Sequence, residues 1–369
     1  MDFNQEKTSF LGVFKLMGED LSCFFKKSGL TKNQLSPYEK ELDSTPDGSP
    51  SARLQTLMDS PLYHKAALLL LEPDLKIIFH RGGSFSKDEI YYALSSHRIN
   101  EILVGFTASD GNLEIVVFSD WNEFLRWWMT LYTTEGNNNY KEIFPGSQEI
   151  EILVCAIHCI DIYKRAYLES MLNYETKVNT EITTQKFAKL LKESIIKGDN
   201  RWLLPSLFNL TPGLKNKAIS LQPHHMKKIE ELGFIRENEE NMIAIEKLGK
   251  VLGTEFASTW MGSVGFAVSA IINGQAVVLD QKYLAPTAFT NHLFSMETEK
   301  DGLYFQHGAF STENLITLLE KWMVNLKKIA YAEITDQIES TEKIKYCKKC
   351  GNPLKPNQKF CKQCGTPVR

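Results

Sequence analysis

Apolar residues recur at helical spacing through Glu149–Asn173, where Ile150, Leu153, Ile157, Ile160, Tyr167 and Met171 share one face. The same period runs through Thr184–Lys197 and through Trp121–Tyr132, whose Phe124, Leu125, Trp128, Leu131 and Tyr132 turn inward behind Ser119 as N-cap. Near the start, Phe10, Val13, Phe14, Met17, Leu21, Phe24 and Phe25 predict an amphipathic helix over residues 9–26. Its polar face mixes Lys with Glu19 and Asp20, which favours docking on the chain's own core or a partner over a membrane surface. Asn33–Arg53 has three Pro, several Ser and Asp47-Gly48, lacks periodicity and reads as a linker.

Shorter apolar runs predict strands. Ala66–Leu71 turns at Pro73-Asp74 and returns as Leu75–His80, a β-hairpin; Ile102–Thr107 and Leu113–Phe118 form a second around Ser109–Asn112. Phe266–Ile272 and Gln275–Leu279 form a third around Asn273-Gly274, the dipeptide of a type I′ turn. Gly302–Phe310 then leads into Ser311 and a helix carrying Leu315, Leu318, Leu319, Trp322 and Leu326. Hairpin, strands, Phe-Ser and helix thus occur twice, which predicts a duplicated unit, although any α+β chain offers some such pairs by chance. The expected fold class is α+β: two pseudo-repeated hairpin/sheet-plus-helix halves around a helical centre, with a small C-terminal unit. The expected units are residues 1–54, an amphipathic helix and linker; 55–180, a first half; 181–340, the centre and second half; and 346–369, the small C-terminal unit.

Within the centre, Gln222–Ile235 reads as a helix closed by Gly233, followed by the short strand Met242–Ile245, a cadence similar to a winged helix. Across residues 62–326 the order of elements resembles the EspG-like chaperones associated with type VII secretion. Their two pseudo-symmetric α+β halves flank a helical centre with a similar helix, Leu-Gly-hydrophobic, strand passage. That resemblance implies a non-catalytic protein that binds another polypeptide. EspG-like proteins lack a zinc ribbon as a rule, and here the chain departs from them.

With 43% hydrophobic and 24% charged residues the composition is that of an ordinary globular protein. No apolar run reaches the roughly 18 residues of a membrane span and the first residues carry no basic leader, so the expected location is cytoplasmic. Charge changes the picture more. The net charge is −3, yet residues from Lys345 onward hold seven basic side chains and no acidic one, leaving −10 on residues 1–344. A basic tail of this kind suits an acidic partner or a phosphate backbone.

The tail also carries the chemistry. Cys347-Lys348-Lys349-Cys350-Gly351 and Cys361-Lys362-Gln363-Cys364-Gly365 are matched knuckles that can present four thiolates to one tetrahedral Zn²⁺. Two disulfides are the competing reading, disfavoured by the odd total of seven cysteines and the missing secretion signal; a single redox pair needs only half of these residues. Residues 346–369 resemble the short C-terminal zinc ribbons of many bacterial proteins. Elsewhere, Cys155 and Cys159 read as buried thiols on an apolar helix face, and His224-His225 as a capping or surface pair more than as ligands. Of Trp127, Trp128, Trp202, Trp260 and Trp322, most read as core, although any exposed one would suit a protein ligand. Phosphate-loop, zincin, nucleophile-elbow and Rossmann signatures are absent, so no enzyme activity is expected. The leading expectation is a zinc-binding adaptor or chaperone-like protein that binds a polypeptide, in a secretion system; the alternative is a nucleic-acid-associated regulator using the winged-helix-like stretch and the basic ribbon.

Overall fold

A computed structural model describes residues 10–17, 32–36, 52–81, 87–92, 103–109, 112–136, 143–214, 217–238, 240–257, 262–299, 302–342, 345–346 and 353–354. The elements in chain order begin with β1 (Phe10–Met17), α1 (Ala52–Asp59), α2 (Pro61–Leu71), β2 (Leu75–Arg81), β3 (Lys87–Tyr92), β4 (Leu103–Ser109), β5 (Asn112–Phe118) and α3 (Trp121–Tyr132). The middle holds β6 (Gln148–Glu149), α4 (Ile150–Leu172), β7 (Glu181–Thr183), α5 (Thr184–Lys197), α6 (Leu203–Leu210), α7 (Pro223–Glu231), β8 (Ile235–Glu237), β9 (Met242–Ile245) and α8 (Lys247–Ala257). The chain closes with β10 (Val264–Ile272), β11 (Gln275–Pro286), β12 (Asn291–Thr298), β13 (Leu303–Phe310), α9 (Thr312–Glu342), β14 (Lys345–Tyr346) and β15 (Pro353–Leu354).

Helices combine with antiparallel sheets, as an α+β chain requires. The main sheet has ten strands in the order β1-β5-β4-β3-β2-β10-β11-β12-β13-β6. On one side of its centre β2–β5 form a meander continued by α3; on the other, β10–β13 form a meander continued by α9. The two meet where β2 pairs antiparallel with β10, Ile78 opposite Ala267 at the middle. One apolar layer lies against the sheet where α3 and α9 contribute Phe124, Trp128, Leu315 and Met323 to Phe79, Phe266 and Leu293. A second is built by α4, α6 and α8 against Tyr283, Phe294 and Phe305. Beside it β7, β9 and β8 form a small sheet in that order.

Three expectations need correction. Residues 10–17 of the anticipated amphipathic helix are the edge strand β1: Val13 and Lys15 point out, while Gly12 and Phe14 lie on the side of Tyr63, whose ring sits 4.7 Å from Phe14. The rest of that helix, residues 18–26, falls outside the described residues. Ala66–Leu71 is the end of α2 and not a strand, so the hairpin proposed over 66–80 does not form; β2 pairs instead with β3 and β10. Pro61 at the first turn and the helix-forming Ala and Leu explain this, and five of the eleven α2 residues are buried. Finally, the N-cap of α3 is Asp120, whose carboxylate accepts the Asn122 and Glu123 N–H groups; Ser119 donates instead to the Glu123 carboxylate. Ser311 does cap α9, accepting the Asn314 N–H at 3.3 Å.

The Asn273-Gly274 turn forms as expected, with φ of 51° and 78° at its two residues. Residues 32–36 dock back onto α2: the Asn33 N–H donates to the Leu71 carbonyl and Ser36 Oγ to that of Leu70.

Candidate metal and interaction sites

Cys347, Cys350, Cys361 and Cys364 lie outside the described residues. Their immediate frame does not. Lys345–Tyr346 pairs antiparallel with Pro353–Leu354, Tyr346 opposite Pro353. Four cysteines in two Cys-x-x-Cys pairs are a donor set that fits a tetrahedral Zn²⁺.

Glu149, His224 and His225 come together from β6 and α7, with donor atoms within 4.8 Å of one another. His225 Nε2 lies 2.7 Å and His224 Nε2 3.3 Å from Glu149 Oε2. Hydrogen bonding by the two imidazoles holds the Glu149 carboxyl below its usual range against a smaller opposing effect of burial. What decides the role of the cluster is the other ring nitrogen: His225 Nδ1 accepts the Gln222 N–H at 3.0 Å, closing a capping box at the start of α7. A neutral ring that accepts at Nδ1 carries its proton on Nε2, so His225 donates to Glu149 and offers no lone pair there to an ion. His225 therefore serves as a cap, and His224 lies on the surface beside it.

Buried polar chemistry is concentrated behind β11 and β12. Thr287 Oγ1 donates to Glu255 Oε1 at 2.5 Å, His292 Nε2 lies 3.5 Å from the same oxygen, and His292 Nδ1 is 3.1 Å from His307 Nε2. Burial, with His292 beside it, pushes His307 down to about 3. Asp161 accepts the Leu203 and Leu204 N–H groups at 3.1 and 2.8 Å and so caps α6; burial raises it to about 6 despite those bonds and the nearby Lys164. Lys164 is itself lowered by burial. The sequence offered no signal for either group, because Glu255 and His307, like Asp161 and Leu204, lie on separate elements and meet only through the packing of α4, α6 and α8 on the sheet.

Cys155 and Cys159 are buried thiols, Cys155 pushed up to about 12 by desolvation, which removes the thiolate that a ligand or nucleophile needs. Trp128 is core, Trp127 is 36% exposed, and Trp260 lies outside the described residues. Among the described residues, exposed apolar side chains gather at the end of α4, where Met171, Leu172 and Tyr174 are 58%, 78% and 95% exposed. Among the described residues no helix is long and apolar enough to cross a membrane.

A family model for a zinc-ribbon domain matches residues 346–368, a small part of the 369-residue chain. No curated protein matches it.

Proposed function

We propose, with the zinc-ribbon match at residues 346–368 as the premise, that this chain is a zinc-binding adaptor that captures another polypeptide and performs no catalysis itself. Cys347, Cys350, Cys361 and Cys364 hold the Zn²⁺ as thiolates, and the metal shapes the basic tail. The observation that carries the adaptor reading is the exposed trio Met171, Leu172 and Tyr174, since apolar side chains gathered in water at one helix end suit a contact surface. The resemblance to EspG-like chaperones supports a secreted polypeptide as cargo. We read the two meanders, each continued by a helix, as copies of one unit; an experimental structure in which β2–β5 and β10–β13 fail to superpose strand for strand would remove that reading.

The second reading, a nucleic-acid-associated regulator, draws on the β7-β9-β8 sheet and the basic tail. Against it, Arg236 and Glu237 of β8 and Glu240 after it are exposed, and α7 exposes Glu230 and Glu231 beside Lys227, a surface of mixed charge with no excess of basic groups for phosphates. The full chain and a Leu172→Ser/Tyr174→Ser variant, each used to capture polypeptides from the native cell, test the adaptor reading. A specific polypeptide retained by the first and lost by the second is expected. Equal capture by both, or retention on DNA that falls steeply with salt in place of any polypeptide, overturns it.

A further inference from the structure

The β10–β11 hairpin projects past its neighbours. β12 pairs with β11 only from Gln281 to Pro286, so on that side no described strand pairs with β11 between Gln275 and Asp280. The separation has two local causes. β11 carries an extra residue, Leu279, where the register to β10 shifts between Val268 and Ser269, and continuing the β11–β12 register would set Asp280 opposite Glu297. Gln275 through Val278 are exposed, with Val277 and Val278 39% and 49% accessible.

Antiparallel alternation fixes which backbone groups face the open side. The two-residue turn makes Ile272 and Gln275 the closing hydrogen-bonded pair, so the N–H and C=O of Ala276 and Val278 point away from β10. One of these positions is already occupied by an imitation. The Gln34 side chain donates from Nε2 to the Gly274 carbonyl at 3.2 Å and accepts the Ala276 N–H at Oε1 at 2.8 Å, so its amide takes the place of a peptide group in an adjoining strand. Gln34 is exposed and bonds nothing further along the edge among the interactions described.

We infer that residues 275–280 of β11 form a docking edge for an extended, basic segment of another polypeptide, which adds as a strand to β11 and displaces the Gln34 amide. The inference rests on the adaptor reading and names how such a partner is held. Main-chain groups of Ala276 and Val278 supply the hydrogen bonds, and Val278 the apolar contact. The preference for basic side chains comes from Glu297 and Glu299, both exposed at the end of β12 that diverges from this edge.

The test uses the full chain and a short synthetic peptide of alternating valine and lysine, labelled for fluorescence polarisation, with versions N-methylated on the amides of one edge or of the other. Strand addition uses a single peptide edge, so one methylated version binds as the parent does and the other at least tenfold more weakly. Val278→Pro removes an N–H that β10 does not use and weakens binding at least tenfold, whereas Gln34→Ala removes the internal competitor and tightens it severalfold. The opposite signs separate docking from general loss of structure. The inference is overturned if both methylated peptides bind alike, if both variants change affinity in the same direction, or if Val278→Pro instead abolishes a concentration-dependent dimer of the unliganded chain. Should Val278→Pro still capture the native polypeptide undiminished while Leu172→Ser/Tyr174→Ser does not, strand addition fails and the adaptor reading stands.

Discussion

Single side chains set how this protein responds to acid. His158 donates from Nε2 to the Phe187 carbonyl at 3.0 Å and is held down to about 4 by burial, as His307 is to about 3. Both titrate near 6.5 when unfolded, so the unfolded chain takes up protons that the native one refuses, and their contribution to stability, complete above pH ~6.5, is lost as pH falls below it. Asp161 works the other way. Its ionised form is disfavoured in the native state, so its burden appears as pH rises from 3.8 toward about 6 and is relieved by acid. Two histidines outweigh one carboxyl, and the melting temperature is expected to fall when pH drops from about 7 to 5. In His158→Phe that fall is expected to be smaller, while stability at neutral pH drops by about 1–2 kcal/mol for the orphaned carbonyl; calorimetry across this range checks both. Trp128 gives a simpler expectation. Its ring packs 4.7 Å from Phe79 and is nearly inaccessible, so Trp128→Ala should cost about 4 kcal/mol in denaturant unfolding.

At the scale of elements, one contact measures how closely α6 sits on the sheet. A Cβ on Gly265 of β10 would fall 1.9 Å from the Leu210 carbonyl oxygen, a backbone atom that cannot swing aside. Gly265→Ala should therefore push α6 off β10 and cost roughly 3 kcal/mol, with the change in near-ultraviolet dichroism exceeding that in the far ultraviolet. Element boundaries were legible where periodicity was sustained: α4 and α5 match their apolar spacing, and Asn273-Gly274 announced its turn through two positive φ values. They were illegible where a short apolar run satisfies two periods. Leu68–Leu71 reads equally as a buried strand or as a buried helix, and the decision lay in Pro61 and in the sheet order, where β2 already has β3 and β10 as neighbours. In β1, phenylalanines at 10 and 14 imitate a helical stripe, but residues 12–15 alternate, and Gly12 lets Tyr63 lie against the strand. The zinc ribbon was readable from cysteine spacing alone because its chemistry is local; the Glu255, His292 and His307 group was not, because its geometry is made by tertiary packing.

For the molecule as a whole, the ribbon and the body are expected to respond separately to metal removal. A segment as short as residues 346–368 buries little apolar surface, so zinc should supply most of its folding free energy, on the order of 10 kcal/mol. Cys361→Ser should abolish stoichiometric zinc while leaving the melting of the ten-stranded body unchanged, as followed by metal analysis and calorimetry; a body transition that moves with the zinc content would contradict this. The body has a different vulnerability, set by the order in which it leaves the ribosome. Its central seam joins Leu75–Arg81 to Val264–Ala270, segments separated by the whole helical centre. During synthesis the first meander is complete long before its partner exists, and through that interval the inner strand of the future sheet is an outer one, with the hydrogen-bonding groups that β10 will take unclaimed. The nascent chain therefore passes through a stage more prone to aggregate than the finished protein, and slowing translation within residues 119–263 should lower the soluble yield without altering the stability of the molecules that complete it.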